Sequence, residues 1–168
     1  MNPIDLHIVY SKPQVVRAYR FHYNSVLSPK RDAIIAFLLL LTGITFLFFQ
    51  GTHFIWIAVI VLSIILLLFL FFAYFIVGNM MYDRDPKYKN TIHLKLSERE
   101  MHFKTVGIDS EIDWSTYTKL LENDEFILLY YGRTAFTILP KSDFPNKADL
   151  EEFVKWMIEK IIYNKSKS

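Results

Sequence analysis

The chain has 168 residues, a formal net charge of +2, no cysteine and a composition that is 52% hydrophobic. So weak a positive balance argues against a nucleic-acid partner. The lack of cysteine removes disulfides, thiolate metal sites and cysteine nucleophiles, and the polar residues outside the uncharged middle suffice for one small domain.

In chain order, 1–11 opens with IDLHIVY, in which Ile4, Leu6, Ile8 and Tyr10 alternate with Asp5, His7 and Val9, the period of a half-buried strand. One strand cannot stand alone. Its sheet partners must come from later in the chain, so whatever lies between is an insertion after the first strand. Over 12–31 the spacing turns helical from Lys12 to about Leu27. Val15, Val16, Tyr19, His22, Tyr23, Val26 and Leu27 share one side, opposite Arg17, Arg20 and Asn24. Pro13 suits a first helical turn, and Ser28-Pro29 closes the segment. A basic amphipathic helix before an apolar run belongs in a membrane interface, with Arg17 and Arg20 as candidate contacts to lipid headgroups. The same pattern also fits a helix packed on the polar domain.

Residues 32–82 carry the dominant signal. From Ala33 to Met81 there is no Asp, Glu, Lys or Arg. Some fifty helical residues reach roughly 75 Å, more than twice the ~30 Å hydrocarbon core of a bilayer, so the run must fold back once. The polar break Gln50-Gly51-Thr52-His53 is the place for it, predicting spans near Ala33–Phe49 and Phe54–Asn79. Gly43 and Thr42 in the first and Ala58 and Ser63 in the second offer close helix approach. No ionisable side chain lies mid-span, where a proton relay or ion path needs one. Lysines and arginines flank the pair on both outer sides while the connecting turn has none, which predicts both termini in the cytoplasm.

From 83 to 168 the pattern becomes β. Thr91–Leu96 and Met101–Val106 read as strands joined by a turn at Glu98-Arg99, pairing Leu96 with Met101 and Leu94 with Phe103. Their opposite face then gathers His93, Lys95, His102 and Lys104, four further candidate headgroup contacts. Ile108–Trp114 carries Asp109, Glu111 and Asp113 in a row about 7 Å apart, the spacing of a strand's wet side. Thr118–Glu122, Glu125–Tyr131 and Thr134–Leu139 follow, with Asn123-Asp124 and Gly132-Arg133 predicted as two-residue hairpin turns. Phe126–Tyr131 is apolar on both faces, as in a central strand covered twice. Asn146 caps a closing helix whose stripe is Leu150, Phe153, Val154, Met157 and Ile161, and the tail 164–168 is polar.

About seven short strands and a C-terminal helix match a small antiparallel barrel of the pleckstrin-homology type. The fold class expected is therefore α+β: a two-helix transmembrane hairpin inserted after the first strand of a pleckstrin-homology-like β domain with a C-terminal helix. Over Glu111–Trp156 the sequence resembles the YcxB-like family of small bacterial membrane proteins. The carrying residues are Ile112-Asp113-Trp114-Ser115, the Phe126–Tyr131 run, Ile138-Leu139-Pro140-Lys141, Phe144 and Glu151-Glu152-Phe153. The resemblance implies a multi-pass protein of the bacterial cytoplasmic membrane with a cytosolic domain, and it carries no catalytic residues across.

The chemistry expected is correspondingly spare. None of the five histidines stands at metal-ligand spacing from another histidine or a carboxylate. No glycine-rich phosphate loop or G-x-S-x-G elbow occurs. The sequence thus predicts no enzyme, no cofactor and no metal. It predicts a membrane-anchored binding or scaffolding module whose partners are the lipid bilayer and either another protein or a second copy of the chain. Two other readings are an immunity protein that neutralises a toxin at the membrane and an accessory subunit of a larger transporter or enzyme.

Overall fold

A computed structural model describes residues 3–26, 28–51 and 53–165. The expected helix end at Leu27, the Thr52 part of the polar break and 166–168 of the tail lie outside the described residues. The chain divides into two compact units, one formed by 1–18 with 82–168 and the other by 19–81. Helix α1 (Lys12–Val26) and helix α4 (Val77–Arg84) carry the chain from one unit into the other.

The first unit is antiparallel β with a closing helix. Strands β1 (Ile4–Ile8), β2 (Ile92–Leu96), β3 (Glu100–Thr105) and β4 (Ile108–Asp113) form one sheet in sequence order. Strands β5 (Lys119–Glu122), β6 (Phe126–Tyr130) and β7 (Phe136–Pro140) form the second. Ile4 faces Leu96, Leu6 faces Leu94 and Ile8 faces Ile92, so the apolar run is indeed inserted between two strands that pair with each other. All six side chains are buried. The β2–β3 register is the predicted one, Leu96 opposite Met101 and Leu94 opposite Phe103. Strand β6 is central in its sheet and buried along its whole length. Helix α5 (Lys147–Lys165) is capped by Asn146, whose Oδ1 accepts from the Asp149 amide at 2.8 Å, and it lies against β5 with Phe153, Met157 and Ile161 buried.

Two predicted turns are corrected. At β5–β6 the closing pair is Asn123 and Phe126, so Asp124-Glu125 form the turn, one residue later than expected. The Asn123 Oδ1 accepts from the amides of Glu125 and Phe126 at 3.0 and 2.7 Å, a side-chain turn that needs no left-handed residue. At β6–β7 Tyr131 donates to the Ala135 carbonyl, so Gly132-Arg133 sit with Thr134 inside a three-residue loop. In this unit the glycine with positive φ is instead Gly107, φ 77°, in the β3–β4 turn.

In the second unit, α2 (Pro29–Gln50) and α3 (Phe54–Phe75) pack side by side. Both are long and apolar enough to cross a membrane. α4 continues α3 past Ile76, where the predicted span was a single rod to Asn79; the Met80 amide still donates to the Ile76 carbonyl. The fully buried positions of the pair are small: Ala36, Gly43 and Ser63. Partly covered Leu40 and Leu47 on α2, and Trp56, Ile60 and Leu67 on α3, extend a seam at alternating three- and four-residue steps, the spacing of two helices wound as a coiled coil. Thr42, Thr45 and Ser63 satisfy their hydroxyls on the carbonyls of Leu38, Leu41 and Val59. The large side chains point outward: Phe48 is 89% exposed, Phe54 83% and Leu62 66%.

Candidate functional site

The four strands β1–β4 present one wet face. His93 pairs with Lys104 and Lys95 with His102, as the sequence predicted. The pairing also places β1 and β4 beside them. His7 meets His93 edge to face, with ring centroids 4.6 Å apart, and Asp5 stands opposite Lys95. On the other side Asp109 faces Lys104, Glu111 faces His102 and Asp113 faces Glu100. Lys95 and Lys104 therefore share a surface with Asp5, Glu100, Asp109, Glu111 and Asp113. The expectation of a basic patch is corrected: the strands that sequence pairing had not placed bring the carboxylates, and the face carries no excess of positive charge.

Asp109 is the most engaged of these acids. Its carboxylate lies 3.0 Å from the Lys104 ammonium and 2.5 Å from His102 Nε2. The bonds from Lys104 and then His102 hold its carboxyl below the usual carboxylate range. Asp113 is held low by the Ser115 side chain and amide, whose N–H donates to it at 2.7 Å. Arg17 is not part of this face. It pairs with Glu125 of the β5–β6 turn at 2.7 Å. Arg20 belongs to the other unit, where its guanidinium lies over the rings of Tyr74 and Phe75 at 5.1 and 5.5 Å and its Nε is buried without a hydrogen-bond partner.

The opposite, apolar face of the same sheet changes character across its width. On β1 and β2 every inward side chain is buried. On β3 and β4, Phe103 and Ile112 are only half-buried and Ile108 is 49% exposed. The second sheet covers the β1 side and parts from the β4 side, and the gap is a cleft of about 480 Å³. Phe103, Ile108 and Ile112 form one wall, Phe136 and Ile138 of β7 the other, with Tyr117 and Tyr131 between. Its size and mostly apolar lining are those of a small-ligand or side-chain site.

The polar atoms of the cleft are largely satisfied within the protein. Tyr10 donates its hydroxyl to the Ile138 carbonyl, tying the first strand's end to the second sheet. The Tyr117 hydroxyl lies 3.4 Å from Thr137 Oγ1 and 3.9 Å from the Met101 sulfur. Lys87 is paired with Asp85 at 3.1 Å. An occupant is thus offered apolar surface more than hydrogen bonds. Among the described residues no three histidine or carboxylate side chains converge as a metal ion requires.

Burial pushes both of these tyrosines up, Tyr10 far above its ordinary range and Tyr117 to about 12. A folded-state value above the unfolded one of 10.0 means that the stabilisation is complete below pH 10 and drains away as pH rises toward 12. Alkaline titration is expected to show a late class of phenolates ionising together with loss of β circular dichroism. Their appearance well before that loss would show that the two hydroxyls are not sealed in.

The sequence supplied Phe103, Ile108 and Ile112 as inward residues but not the cleft, because a cleft depends on how two sheets diverge. No curated protein and no solved structure matches this chain. The model of the family described as YcxB-like protein matches 96–157, from the last residue of β2 into α5, the segment that builds most of the cleft.

Proposed function

We propose that the protein is a membrane-anchored binding module: α2 and α3 span the bilayer as a hairpin, and the β unit, a pleckstrin-homology-like domain, works on the cytoplasmic side as a recognition surface without catalysis. The observation that carries this reading is the inverted packing of the hairpin, with Ala36, Gly43 and Ser63 inside and leucine, isoleucine and phenylalanine outside. In water that arrangement is costly. In lipid each such side chain favours insertion by about 0.3–0.6 kcal/mol at mid-helix, and small residues at the seam are how membrane helices approach. A sheet of four strands beside a sheet of three, closed by a C-terminal helix, supports the pleckstrin-homology comparison. Because α2 and α3 run antiparallel, both chain ends leave the hairpin at one end, in keeping with the flanking lysines and arginines on the cytoplasmic side.

In bacterial membranes the chain is expected to stay in the pellet through an alkaline carbonate wash, and reporters fused to either terminus should both register the cytoplasm. A polypeptide that remained monodisperse in buffer without amphiphile would overturn the anchor. The binding role is tested by capture from native membranes in mild detergent followed by mass spectrometry. A stoichiometric protein partner supports it, and a chain that comes out alone counts against it.

A further inference from the structure

Three observations in the β unit meet at one strand. The sheet order ends at β4, which among the described residues pairs only with β3. Beyond that ladder no backbone hydrogen bond from Ile108–Asp113 reaches another described residue, so one row of its N–H and C=O groups is free, an open template for another strand. The cleft opens along that same edge, and exposed apolar side chains collect at its mouth: Val106 at 76%, Ile108 at 49% and Tyr131 at 44%. On the outer side of the edge stand Asp109, Glu111 and Asp113.

We propose that β4 takes an extended segment of a partner protein whose residues alternate between apolar and Lys or Arg, the backbone adding a strand to the sheet, the apolar side chains entering the cleft and the cations meeting the carboxylates. Alternate side chains of an added strand point to opposite faces, so one register serves both surfaces. The fold already shows what β4 accepts. Its neighbour β3 alternates Met101 and Phe103 inward with His102 and Lys104 outward, and those two face Glu111 and Asp109. The acidic row also disfavours a second copy pairing edge to edge, since β4 against β4 sets carboxylates opposite carboxylates, which is destabilising. A free lipid or small apolar molecule would fill the cleft but leave the open backbone row unanswered.

The inference names the partner chemistry of the binding-module reading and rests on it. The test uses the full chain in neutral maltoside micelles and a fluorescein-labelled nine-residue peptide alternating Val and Lys. A control peptide of the same composition has its Val and Lys in separate blocks. By anisotropy against empty micelles, the alternating peptide is expected to bind about tenfold tighter than the block peptide. Glu111 is exposed, so Glu111→Lys spares the core. It should weaken the Val/Lys peptide about fivefold and strengthen a Val/Glu peptide. N-methylation of the amides on the side facing β4 should abolish binding, while methylating the other set should not. Equal binding of alternating and block peptides, or indifference to Glu111→Lys, overturns the inference. If a partner captured from native membranes is retained undiminished by Glu111→Lys and by excess alternating peptide, the edge is refuted and the binding module stands.

Discussion

Trp114→Ala is expected to cost the β unit about 3–5 kcal/mol, the largest loss of any single truncation in it. Trp114 is 2% exposed and begins the short 3-10 turn that leads out of β4. Its ring lies 5.2 Å from Trp156, 5.9 Å from Tyr117 and 6.0 Å from Phe153, so it joins α5 to the end of the first sheet. Its Nε1 donates to the Ser97 carbonyl at 2.8 Å, fixing the β2–β3 turn as well. Alanine leaves a cavity where four aromatic rings met and removes that donor. Against a total stability of about 5–15 kcal/mol for a small domain, the loss brings the unit close to unfolding. Hydrogen exchange of the β6 and β7 amides in the full chain should show it as faster global opening. Trp114→Phe, which keeps a ring but not the N–H, should lose less than half as much. Exchange unchanged in the alanine variant would remove Trp114 from the centre of the core.

Gly43→Leu is expected to separate α2 from α3. A Cβ at Gly43 would stand 2.7 Å from the Ile60 Cγ1 and 3.4 Å from both the Val59 Cγ1 and the Trp56 carbonyl oxygen. The first contact is closer than real Cβ atoms come, and the backbone behind it limits how far α3 can yield. Overpacking of this kind costs about 1–3 kcal/mol. In lipid, where no hydrophobic force holds helices together, the lost packing is the main association energy. The stacked Phe46 and Trp56 rings, 4.5 Å apart, give a reporter near the site. Trp fluorescence in micelles should shift and the thermal transition should fall by several degrees. Adding Ile60→Ala to Gly43→Leu opens the space again and should recover at least half of the loss, a coupling that independent sites would not show. A Gly43→Leu chain melting like the parent would mean that the two helices do not meet here.

Much of this was legible in the residues because each signal was local. Strict alternation gave β1, β2 and β3 and even the β2–β3 register, since the Glu98-Arg99 turn leaves one pairing that keeps Leu94, Leu96, Met101 and Phe103 on a single face. The uncharged run gave α2 and α3, and Gly43 was visible as a small residue in it. What was not legible depends on strands far apart in sequence. The His93–Lys104 cluster looked basic when two strands were considered. It became mixed once β1 brought Asp5 and β4 brought Asp109, Glu111 and Asp113. The hairpin turns slipped because Asn123 acts through its side chain and Gly132 does not adopt a left-handed backbone. Ala36 emerged as a seam residue only when the helix phase was known.

The pairing of Ile8 with Ile92 sets a schedule for biosynthesis. Strand β1 is made before the other described strands, yet the neighbour it pairs with among the described residues is made after α1, α2, α3 and α4. At about 5–20 residues per second of translation, the interval is roughly 4–17 s. Throughout it Ile4, Leu6 and Ile8 have no sheet to enter, and closing so long a loop comes late in folding. Completion of the β unit therefore waits on synthesis of both apolar helices, and a nascent chain interrupted before β2 would present that first strand as a sticky, unpaired end.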